Sequence, residues 1–114
     1  MIKKISSLSK NEDFKSILKG RKTSNKFLTI FFKNLKNKSN KNLNISFKIK
    51  KKLGLNAPQR NFIKRRLRNI MTDALKHINI NLNYSYLLIS KRPLLEIKYK
   101  KIKETVFKEF ESIK

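Results

Sequence analysis

Apolar residues recur along this chain with two different periods. In "SKNEDFKSILKG", residues 9 to 20, Phe14, Ile17 and Leu18 fall at i, i+3 and i+4 and predict a short helix with one apolar face. Ser9 or Asn11 can cap it, Glu12 and Asp13 complement its N-terminal dipole, and Gly20 can end it. "KFLTIFF", residues 26 to 32, is rich in aromatic and β-branched residues and predicts a strand. Phe27, Thr29 and Phe31 point one way and Leu28, Ile30 and Phe32 the other. Apolar residues on both sides mean either that both faces are covered or that one is an aromatic binding surface. "NLNISFKIK", residues 42 to 50, alternates: Leu43, Ile45, Phe47 and Ile49 face a core, while Asn44, Ser46, Lys48 and Lys50 face away. Between them "KNLKNKSNK", residues 33 to 41, predicts a basic connection between paired strands.

"KKLGLNAPQ" predicts a turn, with Gly54 free to take positive φ and Pro58 suited to a first helical turn. A long helix follows from about Pro58 to His77, with Ile63, Leu67, Ile70, Ala74 and Ile78 as its apolar stripe. "YSYLLIS", residues 84 to 90, predicts a buried strand closed by "KRP". Tyr99, Ile102, Val106, Phe110 and Ile113 then recur at helical spacing. The order α-β-β-α-β-α predicts an α+β fold, a two-layer α/β sandwich with one small sheet and helices packed on it. One domain over residues 1–114 is expected, with no repeat or linker.

Charge changes the picture most. Thirty Lys and Arg against seven Asp and Glu give a formal net charge of +23. Self-repulsion on that scale opposes a compact monomer and points to an anionic partner, of which nucleic acid is the densest. A lysine-inflating genome accounts for part of the excess. It does not account for four of the six arginines lying between Arg60 and Arg68. Cysteine is absent, which excludes disulfides and thiolate metal sites. "MIKKISSLSKNEDF" carries no sustained apolar segment, and no run approaches the roughly 20 residues that span a bilayer, so a cytoplasmic protein is expected.

The candidate chemistry is binding. His77 is the only histidine, and the acids Glu12, Asp13, Asp73, Glu96, Glu104, Glu109 and Glu111 show no metal-ligand or acid–base spacing. Arg60, Lys64 and Arg68 recur at i, i+4 and i+8 with Arg65 beside them, a ridge of cations that repel one another without a partner. Guanidinium forks grip phosphates bidentately, and Asn61 adds a group that both donates and accepts. A second set, Phe14, Phe27 and Phe31 with Lys48 and Lys50, suits single-stranded nucleic acid if the rings line a groove, although such rings also suit a core.

In order along the chain, "LSKNEDFKSILKG", "KKLG", "RNFIKRRLR" and "LLISKRP" resemble the bacterial ribonuclease P protein component, whose signature is a basic helix R-N-x-x-K-R-x-x-R after K-K-x-G. The resemblance runs from about Leu8 to Ile113. It implies a left-handed crossover at the long helix, against the usual hand. It implies a catalytic RNA subunit bound by Lys51, Lys52, Arg60, Asn61, Lys64, Arg65 and Arg68. It implies that Phe14, Leu18, Phe27, Phe31, Lys48 and Lys50 hold the 5′ leader of precursor tRNA. The holoenzyme, ribonuclease P (EC 3.1.26.5), would remove that leader with Mg2+ held mainly by the RNA, the protein alone being inactive, with no protein metal site and no obligate protein partner. The alternative function is a structural RNA-binding protein such as a small ribosomal protein.

The sequence departs from the family pattern at Leu18, where an aromatic is usual, at Lys50, where a small residue is common, and at Phe62, where an arginine or another polar residue follows Arg-Asn. About 100° from the centre of the buried stripe, Phe62 is expected to be exposed. It then stacks on an RNA base, packs on another part of the chain, or lies against its own helix.

Overall fold

The computed structural model describes residues 5–6, 11–34, 43–50, 53–82, 84–91 and 97–113, with residues 6 and 11–14 described by their backbone alone. Among them run β1 (Ile5–Ser6), α1 (Asn11–Leu18), β2 (Arg21–Ser24), β3 (Leu28–Lys33), β4 (Leu43–Ile49), α2 (Ala57–His77), β5 (Ser85–Ser90) and α3 (Tyr99–Ser112). The predicted α+β sandwich forms, and its order survives as α1-β3-β4-α2-β5-α3 with β1 and β2 added. Neither added strand carries an apolar alternation: β1 has two residues, and β2 reads RKTS.

The strands make one sheet in the order β1-β4-β5-β3-β2. β5 lies parallel to β4 and antiparallel to β3. The expected pairing of β3 with β4 is therefore corrected, because β5 stands between them. Five of the six residues of β5 are buried, and a strand covered on both faces belongs in the middle of a sheet. The basic connection expected at 33 to 41 lies, from residue 35 onward, outside the described residues, as do Arg92 and Pro93.

Register sorts the side chains onto two faces. On one, Leu28, Ile30 and Phe32 of β3, Leu43, Ile45 and Ile49 of β4, and Tyr86 and Leu88 of β5 meet Ile63, Leu67, Ile70, Met71 and Ala74 of α2 and Ile102, Val106 and Phe110 of α3. Each large apolar side chain among them contributes about 1.5–3 kcal/mol through removal from water. On the other face Ile17 of α1 seals against Leu87, with Phe31 and Ile89 packed beside them. α1 is tied down by a hydrogen bond that Lys33 Nζ donates to Ser16 Oγ at 3.1 Å. Gly20 permits the approach, since a Cβ there would stand 2.7 Å from the Phe32 carbonyl oxygen.

α2 begins at a reciprocal cap. Asn56 Oδ1 accepts from the Gln59 amide at 2.9 Å and Gln59 Oε1 accepts from the Asn56 amide at 3.0 Å, worth about 1 kcal/mol. Gly54 takes φ 69° in the preceding turn, as expected. α2 and α3 are linked by an ion pair of Lys103 with Asp73 at 3.2 Å, about a third exposed on each side and so worth little.

Tyr86 anchors the polar edge of the core. Its ring packs on Phe110 at 5.1 Å and its hydroxyl donates to the Asn81 carbonyl at 2.6 Å. Burial, and secondarily the neighbouring Tyr84, pushes its pKa far above the ordinary tyrosine value. A raised folded-state pKa means that its stabilisation is fully present below the unfolded value of about 10 and is lost as pH rises toward the folded one. Tyr86→Phe is expected to cost about 1 kcal/mol in urea unfolding at neutral pH. The gap should narrow above about pH 10. A gap constant across that range would contradict this account of Tyr86.

Candidate nucleic-acid interface

The buried stripe of α2 fixes where its cations point. Ile63 and Leu67 are buried, so Asn61, Lys64, Arg65 and Arg68 stand exposed and Arg60 is half-buried. Among the described residues, none of the side chains of Arg60, Asn61, Lys64, Arg65 and Arg68 makes a hydrogen bond or ion pair. Unpaired guanidinium and ammonium groups in one row attract phosphates without first having to break an internal interaction.

The second predicted set is partly brought together. Phe31 faces α1, and register places Lys22 of β2 directly opposite it, with its Nζ 6.0 Å from the ring centroid. The next row across this face is Thr29, Ile89 and Lys48, with Lys48 exposed. The open part of the face is thus a strip of one aromatic ring, two smaller side chains and two lysines beside α1. Lys22, Thr29 and Ile89 were not legible as site residues; Lys22 is placed by pairing, and its strand has no pattern of its own.

Phe27 is not in this strip. It precedes β3, where Asn25 Oδ1 accepts from the amides of Phe27 and Leu28, and that turn takes it out of the strand alternation. It packs against the main core on the opposite face. Leu18 is 45% exposed, while Ile17 takes the buried position, so the expected common face of Phe14, Ile17 and Leu18 does not hold for the last two. Lys51 and Lys52 and the side chain of Phe14 lie outside the described residues.

The two predicted sets meet at the end of β4. An open pocket of about 480 Å³ is lined by Phe47, Lys48, Ile49 and Lys50 from the strand side and by Arg60 and Lys64 from α2. Four cations on one concavity raise the local potential and favour a bound anion. Among the described residues no three of His, Cys, Asp and Glu gather where they could hold a metal, and His77 is exposed at the end of α2. No helix among them is long and apolar enough to cross a membrane.

An α+β protein that presents unpaired cations from one long helix and one sheet face belongs, as a class, among nucleic-acid-binding proteins. The chain belongs to the Ribonuclease P family, whose model matches residues 2–114, and it is an RNA-binding protein component of that tRNA-processing system. It is similar in fold to the RNase P protein from Thermotoga maritima, with a TM-score of 0.78 at 18% identity over 96% of this chain and 98% of that one. It is also similar to the Staphylococcus aureus RNase P protein, with a TM-score of 0.73 at 26% identity over 91% and 90% of the two chains. No curated protein sequence matches it.

Replacing Arg65 and Arg68 together by alanine should leave the melting temperature within a few degrees, because both side chains are exposed and unpaired. Affinity for a ribonuclease P RNA transcript should fall, and the slope of log affinity on log salt should shrink by about one for each phosphate no longer engaged. An unchanged slope would remove these two residues from the interface.

Proposed function

We propose that this chain is the protein subunit of a ribonucleoprotein endonuclease in which the RNA subunit performs the cleavage. α2 binds the RNA subunit through Arg60, Asn61, Lys64, Arg65 and Arg68, joined by Lys51 and Lys52, which precede it in the sequence. The strip beside α1 holds the 5′ leader of precursor tRNA, with Phe31 offered for base stacking and Lys48, together with Lys50 of the adjoining pocket, for phosphates. Phe14 and Leu18 contribute from α1; Phe27, packed on the opposite face, is not part of this groove. The product is the mature tRNA 5′ end, and the setting is the cytoplasm.

One observation carries this reading: the two basic sets share a pocket, lined by Lys48, Lys50, Arg60 and Lys64, so a single concavity is reachable from both RNAs. Positioning two polyanions against each other requires that their repulsion be neutralised where they approach, and four cations at the junction supply that. The Mg2+ that the cleavage uses is held mainly by the RNA subunit.

The test is reconstitution. The protein with a bacterial ribonuclease P RNA should restore cleavage of precursor tRNA at low magnesium, and the protein alone should cut nothing. Phe31→Ala should reduce the particle's affinity for precursor tRNA several-fold or more, as removal of a stacked base worth about 1–3 kcal/mol requires, and leave mature tRNA binding unchanged. Cleavage by protein free of RNA would overturn the division of labour. Binding to ribonuclease P RNA without any gain in cleavage would favour a purely structural RNA-binding protein.

A further inference from the structure

Phe62 is 45% exposed, one of two large apolar side chains so exposed among the described residues. It does not stand alone. The Arg66 guanidinium lies 5.2 Å from the Phe62 ring centroid and 5.7 Å from that of Tyr99, the first residue of α3. One cation on two half-open rings joins α2 to α3 and restrains Phe62 at small entropic cost. A ring that is ordered before binding is a better stacking partner than a mobile one.

The surroundings are cationic. No acidic residue lies in the first turn of either helix, and Lys98 and Lys100 on either side of Tyr99 are exposed. Phe62 and Arg65 are three residues apart on α2, and Arg65 and Arg68 again three, so all three are neighbours in succession along the helix surface. A strand whose phosphates engage Arg65 and Arg68 thus passes within reach of the exposed ring. A second copy of this chain would fit an apolar patch, but two chains of net charge +23 repel one another.

We propose that Phe62, held by Arg66 against Tyr99, is a stacking platform for one unpaired base of the RNA subunit, separate from the strip beside α1. This rests on the function proposed above and extends it to the α2–α3 side of the molecule. Arg66 is a positioning residue. Its charge on the ring also favours a nucleobase through cation–π and stacking interactions.

The experiment measures affinity for a ribonuclease P RNA transcript over a range of salt, using the full chain with Phe62→Leu, Phe62→Tyr and wild type. Leucine keeps an apolar side chain and removes the aromatic face. Phe62→Leu should weaken binding about tenfold, the size of one base stack. Its salt slope should equal that of wild type, because every phosphate stays engaged. Phe62→Tyr should bind as wild type does, and both variants should melt with wild type. Assembled particles should hold precursor tRNA equally well with any of the three. Equal RNA affinity for Phe62→Leu and wild type would overturn the platform while leaving the function intact. Equal weakening by leucine and tyrosine would reduce Phe62 to a packing residue, and an effect confined to precursor tRNA would overturn the assignment to the RNA subunit. Failure of wild type itself to bind the transcript would overturn both this inference and the function on which it rests.

Discussion

The seam between α2 and the sheet is the interaction on which the rest of the structure depends. Five residues of α2, Ile63, Leu67, Ile70, Met71 and Ala74, are fully or almost fully buried. A helix is stiff, so burying one stripe sets the direction of every other side chain on it. Arg60, Lys64, Arg65 and Arg68 have no acidic partners among the described residues and repel one another, yet they are held in a row because the stripe beneath them is buried. The protein thereby keeps an unfavourable charge arrangement in place until an anion relieves it.

The same seam determines what lies at the ends of α2. The Asn56–Gln59 cap starts the helix beside the end of β4, which brings Arg60 and Lys64 to the pocket shared with Lys48 and Lys50. On the far flank Arg66 reaches Tyr99 and carries Phe62 with it. On the opposite face of the sheet α1 covers only part of the surface, sealing Ile17 on Leu87 and leaving Phe31, Ile89 and Lys48 accessible in varying degree. The cationic ridge, the pocket and the aromatic strip are therefore three consequences of how one sheet is covered.

Much of this was legible in the sequence wherever a residue's burial followed from its own period. The long helix expected from Pro58 spans Ala57–His77, the alternating strand expected over 42 to 50 spans Leu43–Ile49, and Phe62 is exposed as its angle from the buried stripe requires. The N-x-x-Q sequence from Asn56 to Gln59 was also a readable cap signal, and it places the helix start one residue earlier than Pro58 implied. What was hidden depends on pairing between distant segments. β2 is polar and becomes a strand only against β3, so Lys22 could not be set beside Phe31 from its neighbours. Strand alternation carried one residue past the Asn25 turn places Phe27 in the aromatic groove, and that turn is what breaks the alternation. The insertion of β5 between β3 and β4 is likewise a fact about the sheet, and no local pattern carries it.

In the function proposed, one fold presents two RNAs to each other, with the sheet strip on the leader and α2 on the RNA subunit. Photo-crosslinking from single cysteines, absent from the natural chain, tests this most directly. In reconstituted particles loaded with precursor tRNA, a short photo-reactive group at position 48 should mark leader nucleotides, and one at position 65 should mark the RNA subunit. Crosslinks from both positions to the same RNA, with none to the other, would contradict the account.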